Sequence, residues 1–372
     1  MSESSSQPVI LVINFGSTST KIGVFEGEDA VFTKSYDHGT EEYPKKFADL
    51  EEHRAFAEKL IEGLLAEKGY RLEDVDVFVG RGGAQVFIES GAYLINEIMY
   101  DDTFKIGGDR HPGKLGTQIS WGYSQKYGKP AYIVNGPSVD EFEDAARLTG
   151  LKEVMRQSRI HTLNQKEVAY RYAREHDLKY RELNLIVCHM GGGISITAHK
   201  RGRMVDSNDI IEGEGPMSPT RAGALPAMPL LELAYSGDYK HEDLVIRLVA
   251  KGGLIDHLGT ADMREAEKMV AEGDGYAKIV LESMFYQIAK QAGAMAVVLD
   301  GQVDAILFTG GMARSDLLVD YLTAKLAWIA PIFTYPGEFE LQGLASGIMR
   351  VLRGEEDAHE YTGKDVWTGF TH

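Results

Sequence analysis

The chain has 372 residues, with 39 lysines and arginines against 56 aspartates and glutamates, a formal charge of −17. Such a balance gives no basic stripe for nucleic acid and opposes adsorption to an anionic membrane surface. The one cysteine, Cys188, excludes an intramolecular disulfide and any cysteine-rich zinc or iron–sulfur centre held by this chain alone. No apolar run reaches the ~18 residues of a membrane span. The start, Met1 to Pro8, lacks the basic and apolar regions of a signal peptide, so a cytoplasmic protein is expected. The length suits two domains of roughly 100–200 residues each.

In chain order, Val9–Ile13 is an apolar strand that runs into Asn14 and a Gly-Ser-Thr-Ser-Thr turn. Lys21–Phe25 and a segment from Ala30 follow as strands, separated by the turn Glu26-Gly27-Glu28-Asp29. Leu185–Met190 repeats the first strand and enters Gly191-Gly192-Gly193, with Ile194–Ala198 and a turn at Lys200–Arg203 after it. Gly16 and Gly191 each follow a six-residue stretch, and Gly27 and Gly202 lie eleven residues further on. The common offset is 175 residues, which points to an internal duplication. Helices are predicted at Glu51–Lys68, Lys114–Tyr127, Glu141–Arg147, Asn164–His176, Glu242–Val249, Tyr276–Leu299 and Ser315–Trp328. Strands at Val75–Val79, Ala131–Val134, Ala305–Thr309 and Ile332–Tyr335 alternate with them, which indicates an α/β fold with a mixed sheet in each half.

Three strand-end turns have the composition of phosphate cradles. Asn14 to Lys21 packs a glycine, four hydroxyls and a lysine into one turn, where N–H groups, hydroxyls and charge can surround an anion. Gly191-Gly192-Gly193 lets backbone approach an anion closely, and Gly310-Gly311 follows an apolar strand ahead of a helix. Other nucleotide and metal motifs are missing. No Gly-x-Gly-x-x-Gly follows an early strand, and Gly108 to Lys114 approaches a P-loop but continues with Leu115 where a hydroxyl is needed. There is neither a His-Glu-x-x-His pair nor an EF-hand loop, so no site held by protein ligands alone is expected.

Asn14-Phe15-Gly16-Ser17-Thr18-Ser19-Thr20-Lys21 resembles the first phosphate signature of acetate and butyrate kinases, and His189-Met190-Gly191-Gly192-Gly193-Ile194-Ser195 the second. Glu212-Gly213-Glu214-Gly215-Pro216 leading to Ser218–Gly223 is similar to the butyrate kinase branch of that family. So are Val139–Ala145, His161–Lys166, Tyr335–Glu340 and the paired glycines after Arg81. Phe15 departs from the proline usual there, and Asn135-Gly136-Pro137-Ser138 replaces a more apolar approach to Asp140. The resemblance spans Val9 to Tyr361 and implies membership of the acetokinase family of short-chain carboxylate kinases.

The family implies a duplicated ribonuclease-H-like fold, as in actin, sugar kinases and heat-shock chaperones, with a central cleft between two domains. The expected domains are 8–141 with 341–372, on the acid and phosphate side, and 142–340, on the nucleotide side. A homodimer or larger homo-oligomer is implied too. The implied reaction is reversible transfer of a phosphoryl group from Mg-ATP to butyrate or a branched four- or five-carbon acid. Acetate or propionate as the acid, and a non-enzymatic nucleotide switch, are the alternatives. A carboxylic acid has a pKa of ~4–5, so the substrate is already an anionic nucleophile and needs no general base. Cations must instead bring it against a polyphosphate.

By resemblance, Arg221 and Arg81 take the carboxylate and the transferring phosphoryl, since guanidinium offers paired donors to planar anions. His161, and less directly His111, donate to the phosphoryl; Asp140 and Glu340 are the Mg²⁺ candidates. Asn14, Ser17, Ser19 and Lys21 hold one side of the phosphates, and Gly191, Gly192 and Gly193 the other. Gly310 and Gly311 underlie the adenosine, with Asp262 and Arg264 near base or ribose. Plainer roles compete: Arg221 as a surface ion pair, Asp140 as the N-cap of helix Glu141–Arg147, His111 as a loop residue, Cys188 as core.

Overall fold

Val9–Phe15 (β1) is buried along nearly its whole length, as a central strand with both faces covered must be. It pairs antiparallel with Ser19–Glu26 (β2), which pairs antiparallel with Asp29–Asp37 (β3). On its other side β1 runs parallel to Val77–Gly80 (β4). Ala92–Leu94 (β5) and Ala131–Val134 (β6) extend that sheet, with β6 parallel to β4. The later strands are Asn184–Met190 (β7), Ile194–Lys200 (β8), Arg203–Ser207 (β9), Ala305–Gly310 (β10) and Ile332–Pro336 (β11). The final strand, His359–Glu360 (β12), returns to the first sheet beside β5. The two sheet orders are β12-β5-β6-β4-β1-β2-β3 and β11-β10-β7-β8-β9.

This computed structural model describes residues 7–16, 19–44, 46–106 and 112–370. The chain divides into Met1–Asp140 with Phe339–His372 as one unit and Glu141–Glu338 as the other. Phe339 and Glu340 thus fall with the first unit, and Glu141 with the second.

Five strands repeat in the same order and sense: β3-β2-β1-β4-β6 in one unit, β9-β8-β7-β10-β11 in the other. The register corrects the spacing argument. Val9 and Asn184 begin β1 and β7 at the 175-residue offset, but Phe15 pairs with Thr20 while Met190 pairs with Ile194. The second turn is therefore one residue shorter, and β2 and β8 correspond at 174. The pairing irregularities after Val24 and after Ala198 keep that same 174. Gly27 (φ +63°) then takes the first place of its two-residue turn, whereas Gly202 (φ +84°) takes the second, behind Arg201 at φ +50°. A turn with both φ values positive is of the I′ kind that fits strand twist, and glycine there is nearly free of strain.

Helix Lys114–Tyr127 has the expected bounds, and Leu50–Glu67, Thr162–Glu175, His241–Val249, Gly275–Val298 and Asp316–Leu326 lie within two residues of theirs. Helix Glu141–Arg147 is shorter, Asp144–Arg147, with Glu143 as its N-terminal flank. The reason is that Glu143 N–H bonds the Val205 carbonyl of β9, and the Glu141 carboxylate takes the Lys166 ammonium at 2.8 Å. Asp140 is therefore not a helix cap. Helices Glu97–Lys105, Ala227–Tyr235, Leu254–Leu258, Met263–Ala271 and Glu340–Leu352 complete the set.

Helix Gly275–Val298 buries Val280, Leu281, Met284, Phe285, Ile288, Ala292 and Met295, three- and four-residue spacing that forms one stripe. That stripe joins Ile186, Cys188, Ile306 and Phe308 of the second sheet in one core. Cys188 is fully buried, and burial pushes its thiol pKa up. In the first unit, helix Glu340–Leu352 lays Leu341, Leu344, Ala345 and Ile348 against β1 and β6. The leucines and Ile348 each contribute roughly 1.5–3 kcal/mol by leaving water. Among the described residues, no helix is long and apolar enough to cross a membrane.

Candidate active site

The first unit gathers four of the expected site residues at the carboxyl ends of parallel strands, where open α/β sheets commonly bind ligands. Asn14 on β1 pairs directly with Lys21 on β2, so both project to one face. Arg81 follows β4, and its N–H bonds the Ile13 carbonyl at 3.0 Å, beside Asn14. All three converge on Glu340, the first residue of its helix: Asn14 Nδ2 donates to Oε2 at 2.7 Å, Lys21 Nζ lies 3.7 Å from Oε2, and Arg81 Nη2 3.9 Å from Oε1. Asn14 Oδ1 is buried and finds no hydrogen-bond partner among the described residues. That orphaned acceptor beside a carboxylate fits a hard cation such as Mg²⁺.

Asp140, 4 % exposed, lies beyond β6, with its N–H on the Ile88 carbonyl. Among the described residues, no three His, Cys, Asp or Glu side chains gather as a metal cluster. One or two carboxylates with phosphate oxygens is the set Mg²⁺ ordinarily takes. Ser19 begins β2, its carbonyl accepting the Gly16 N–H at 2.9 Å. Ser17 and His111 lie outside the described residues.

In the second unit, the turn Gly191–Gly193 joins β7 to β8. The Gly192 carbonyl accepts from Ser218 Oγ (2.6 Å), Thr220 Oγ1 (2.8 Å) and Thr220 N (3.3 Å), which ties the loop carrying Arg221 onto the turn. A Cβ on Gly193 would collide with the Arg221 guanidinium, so this glycine makes room for that side chain. Arg221 Nε and Nη1 are buried without hydrogen-bond partners among the described residues. Burial lowers its pKa from the ordinary value, with Asp209 as the opposing charge, yet guanidinium stays protonated. Two buried donors left unpaired cost about 1–3 kcal/mol each, a deficit that a bound anion would remove.

Asp209 has no signature in the sequence, and the structure alone brings it here. Its Oδ1 takes the N–H groups of Ile211 (2.5 Å) and Glu212 (2.8 Å), while the buried Oδ2 has no partner among the described residues. Burial raises its pKa. Asp209 and Arg221 line one small cavity with Ile194, Pro216 and Leu248. The loop is held from behind by Arg156, paired with Asp206 and with both oxygens of Glu214 at 3.0–3.1 Å.

His161 precedes helix Thr162–Glu175 and stacks on His189 of β7, with ring centroids 3.9 Å apart and 15° between planes. Gly310 (φ +89°) exchanges two backbone hydrogen bonds with Gly337, each 3.0 Å, and a Cβ on it would strike the Met190 carbonyl. Close packing therefore explains Gly310, whereas Gly311 faces open space. A 3-10 turn, Gly311–Arg314, lies between Gly310 and helix Asp316–Leu326, whose N-cap is Ser315. Asp262 caps helix Met263–Ala271 and pairs with the exposed Arg264, which holds its carboxyl pKa at about 2. A capping pair accounts for both residues locally.

The repeated β-sheet unit is that of a duplicated ribonuclease-H-like fold. A crystal structure of Porphyromonas gingivalis acetate kinase matches 93 % of the chain and 100 % of its own, at a TM-score of 0.75 and 20 % identity, a likeness of fold. The acetokinase family model matches residues 149–327. Butyrate kinase 2 of Clostridium acetobutylicum is 42 % identical over 352 residues, 95 % of this chain and 99 % of that one. A probable butyrate kinase 2 of Caldanaerobacter subterraneus subsp. tengcongensis is 44 % identical over the same shares. The chain belongs to the acetokinase family.

Proposed function

We propose that this protein transfers the γ-phosphoryl group of ATP to a short-chain carboxylate, butyrate or a branched four- or five-carbon acid, reversibly giving ADP and the acyl phosphate. The observation that carries the reading is Arg221: two buried guanidinium donors with no partner among the described residues, seated on a glycine turn. Identity of 42–44 % to butyrate kinases over nearly the whole chain supports the choice of acid.

The carboxylate oxygen attacks phosphorus directly, so no side chain has to remove a proton. Arg221 neutralises the attacking carboxylate and the charge that builds on the phosphoryl oxygens. Arg81 and Lys21 serve the phosphates in the first unit, with Asn14 and Ser19 donating from the same turn. Gly191–Gly193 presents backbone to phosphate, and His161 donates to the phosphoryl group. Asn14 Oδ1, Glu340 and Asp140 are the oxygen ligands offered to Mg²⁺, which when bound supplies positive charge against the polyphosphate.

Hydroxamate formation tests the reading: the protein, Mg-ATP and hydroxylamine are incubated with acids of two to five carbons. Activity with four- and five-carbon acids well above acetate supports it; acetate or propionate as the best substrate favours the second reading. We also propose a homo-oligomer. None of the nine residues of helix Ala227–Tyr235 is buried, and Met228, Leu231 and Tyr235 are 66, 50 and 87 % exposed. An apolar helix left open in this way suits a subunit interface. Light scattering should give a mass at least twice that of one chain, and a monomer at micromolar concentration would contradict it.

A further inference from the structure

Behind His161 runs a buried chain of side chains: Ser195, Gln165, His199 and Tyr180. The first three are 0 % exposed and Tyr180 is 3 % exposed. Ser195 Oγ lies 2.9 Å from His161 Nδ1. Gln165 Nε2 donates to Ser195 Oγ at 2.7 Å and to the Ser195 carbonyl at 3.2 Å. Gln165 Oε1 lies 3.0 Å from His199 Nε2, and His199 Nδ1 lies 2.7 Å from the Tyr180 hydroxyl.

The protons can be placed by what each group is able to give. The Ser195 carbonyl only accepts, which fixes the NH₂ end of the Gln165 amide toward Ser195 and its oxygen toward His199. Burial holds the His199 pKa well below the usual value, with Lys166 adding to the effect, so the ring carries one proton. That proton sits on Nε2, because Gln165 Oε1 can only accept; Nδ1 then accepts from Tyr180. Ser195 Oγ already receives a proton from Gln165. Its own hydroxyl proton has one partner left, His161 Nδ1. The opposite arrangement would bury a hydroxyl donor with nothing to take it, which is unfavourable.

We infer that Ser195, Gln165 and His199 are positioning residues that hold the neutral His161 ring in the tautomer protonated on Nε2. The stacked neighbour is set the same way. Asn164 Nδ2 donates both to His189 Nδ1 (2.9 Å) and to Thr309 Oγ1 (3.1 Å), which leaves the His189 proton on Nε2. That Nε2 would stand 3.6 Å from a Cβ placed on Gly191, at the edge of the glycine turn. Both rings thus present Nε2–H as a donor and turn Nδ1 toward the protein interior. The inference rests on the reading of His161 as a phosphoryl donor only for its consequence in catalysis. The tautomer itself is a property of the resting protein.

Long-range ¹H–¹⁵N correlation spectra of histidine-labelled protein test it, with His161 assigned from the spectrum of His161→Ala. The wild type should show a protonated Nε2 and an unprotonated, accepting Nδ1 on His161. In Ser195→Ala the ring should become a mixture of tautomers, and turnover should fall several-fold with the KM for ATP little changed. In Gln165→Glu, a carboxylate accepts from both Ser195 and His199, the Ser195 proton turns away, and His161 should move its proton to Nδ1. A wild-type ring protonated on Nδ1, or a ring unchanged in Ser195→Ala, would overturn the inference; Ser195→Ala decides alone should Gln165→Glu fail to fold. If the tautomer is as stated but His161→Ala keeps full turnover, the catalytic reading of His161 fails and the tautomer stands.

Discussion

Gly193→Ala separates the fold from the chemistry. A Cβ there meets the far end of the Arg221 side chain, and the Gly193 φ lies outside the left-handed region, so alanine fits the backbone. Ordinary contact between carbon and nitrogen needs ~3.5–4 Å, so the guanidinium has to move by roughly 1.5–2 Å. At an effective dielectric of ~20, unit charges attract by ~4.2 kcal/mol at ~4 Å and ~2.8 kcal/mol at ~6 Å. The difference of roughly 1.4 kcal/mol predicts turnover about tenfold lower. Stability should change by less than about 1 kcal/mol, because a flexible side chain yields and alanine restricts the unfolded chain. Gly310→Ala is the control: it combines φ +89° with a collision against the Met190 backbone carbonyl, which has no soft way to yield. It should lose roughly 2 kcal/mol or more of stability. Denaturant titrations and hydroxamate rates on both variants, with Arg221→Ala and the Gly193→Ala/Arg221→Ala double variant, complete a cycle. Because the alanine acts through Arg221, the double variant should be no slower than Arg221→Ala, itself down by ~10²–10⁴. Independent, multiplying losses would refute the argument.

Burial, helped by His38, lowers the His53 pKa to about 4, and its Nε2 lies 2.5 Å from the Tyr43 hydroxyl. The unfolded chain therefore binds a proton below about pH 6.5 that the folded one refuses, so stability should fall by roughly 2–3 kcal/mol from pH 6.5 to 4. Denaturation midpoints across that window check it, and His53→Gln should flatten the slope. Asp140→Asn keeps an oxygen but loses a charge; its turnover should recover partly as Mg²⁺ is raised. A variant dead at every Mg²⁺ concentration with ATP still bound would remove Asp140 from that role.

Much of the architecture was legible because long apolar strands and amphipathic helices write their period into the chain. β1, β7 and helix Lys114–Tyr127 are examples. The 174-residue relation of β2 to β8 was not legible, since the glycines at 27 and 202 share an offset while occupying different turn positions. Helix Ala227–Tyr235 was missed because, Glu232 apart, it is apolar with no polar face to mark a period, and Pro229 is tolerated only in its first turn. Asn14, Lys21, Arg81 and Glu340 were each legible as motif residues, but their meeting was not. Asn14 and Glu340 stand 326 positions apart and touch through β1 and the returning helix. Asp209 carried no local pattern, and only burial with an unpartnered oxygen near Arg221 marks it.

The central claim is that a carboxylate, not a hydroxyl or water, receives the phosphoryl group. ATP bearing ¹⁸O-free phosphate, incubated with carboxyl-¹⁸O butyrate and the protein, tests it directly by mass spectrometry of the butyryl phosphate formed. Acyl phosphate that retains ¹⁸O in the bridge to phosphorus is expected, formed only when acid is present. ADP and inorganic phosphate released at a rate indifferent to any acid, with no labelled acyl phosphate, would contradict it.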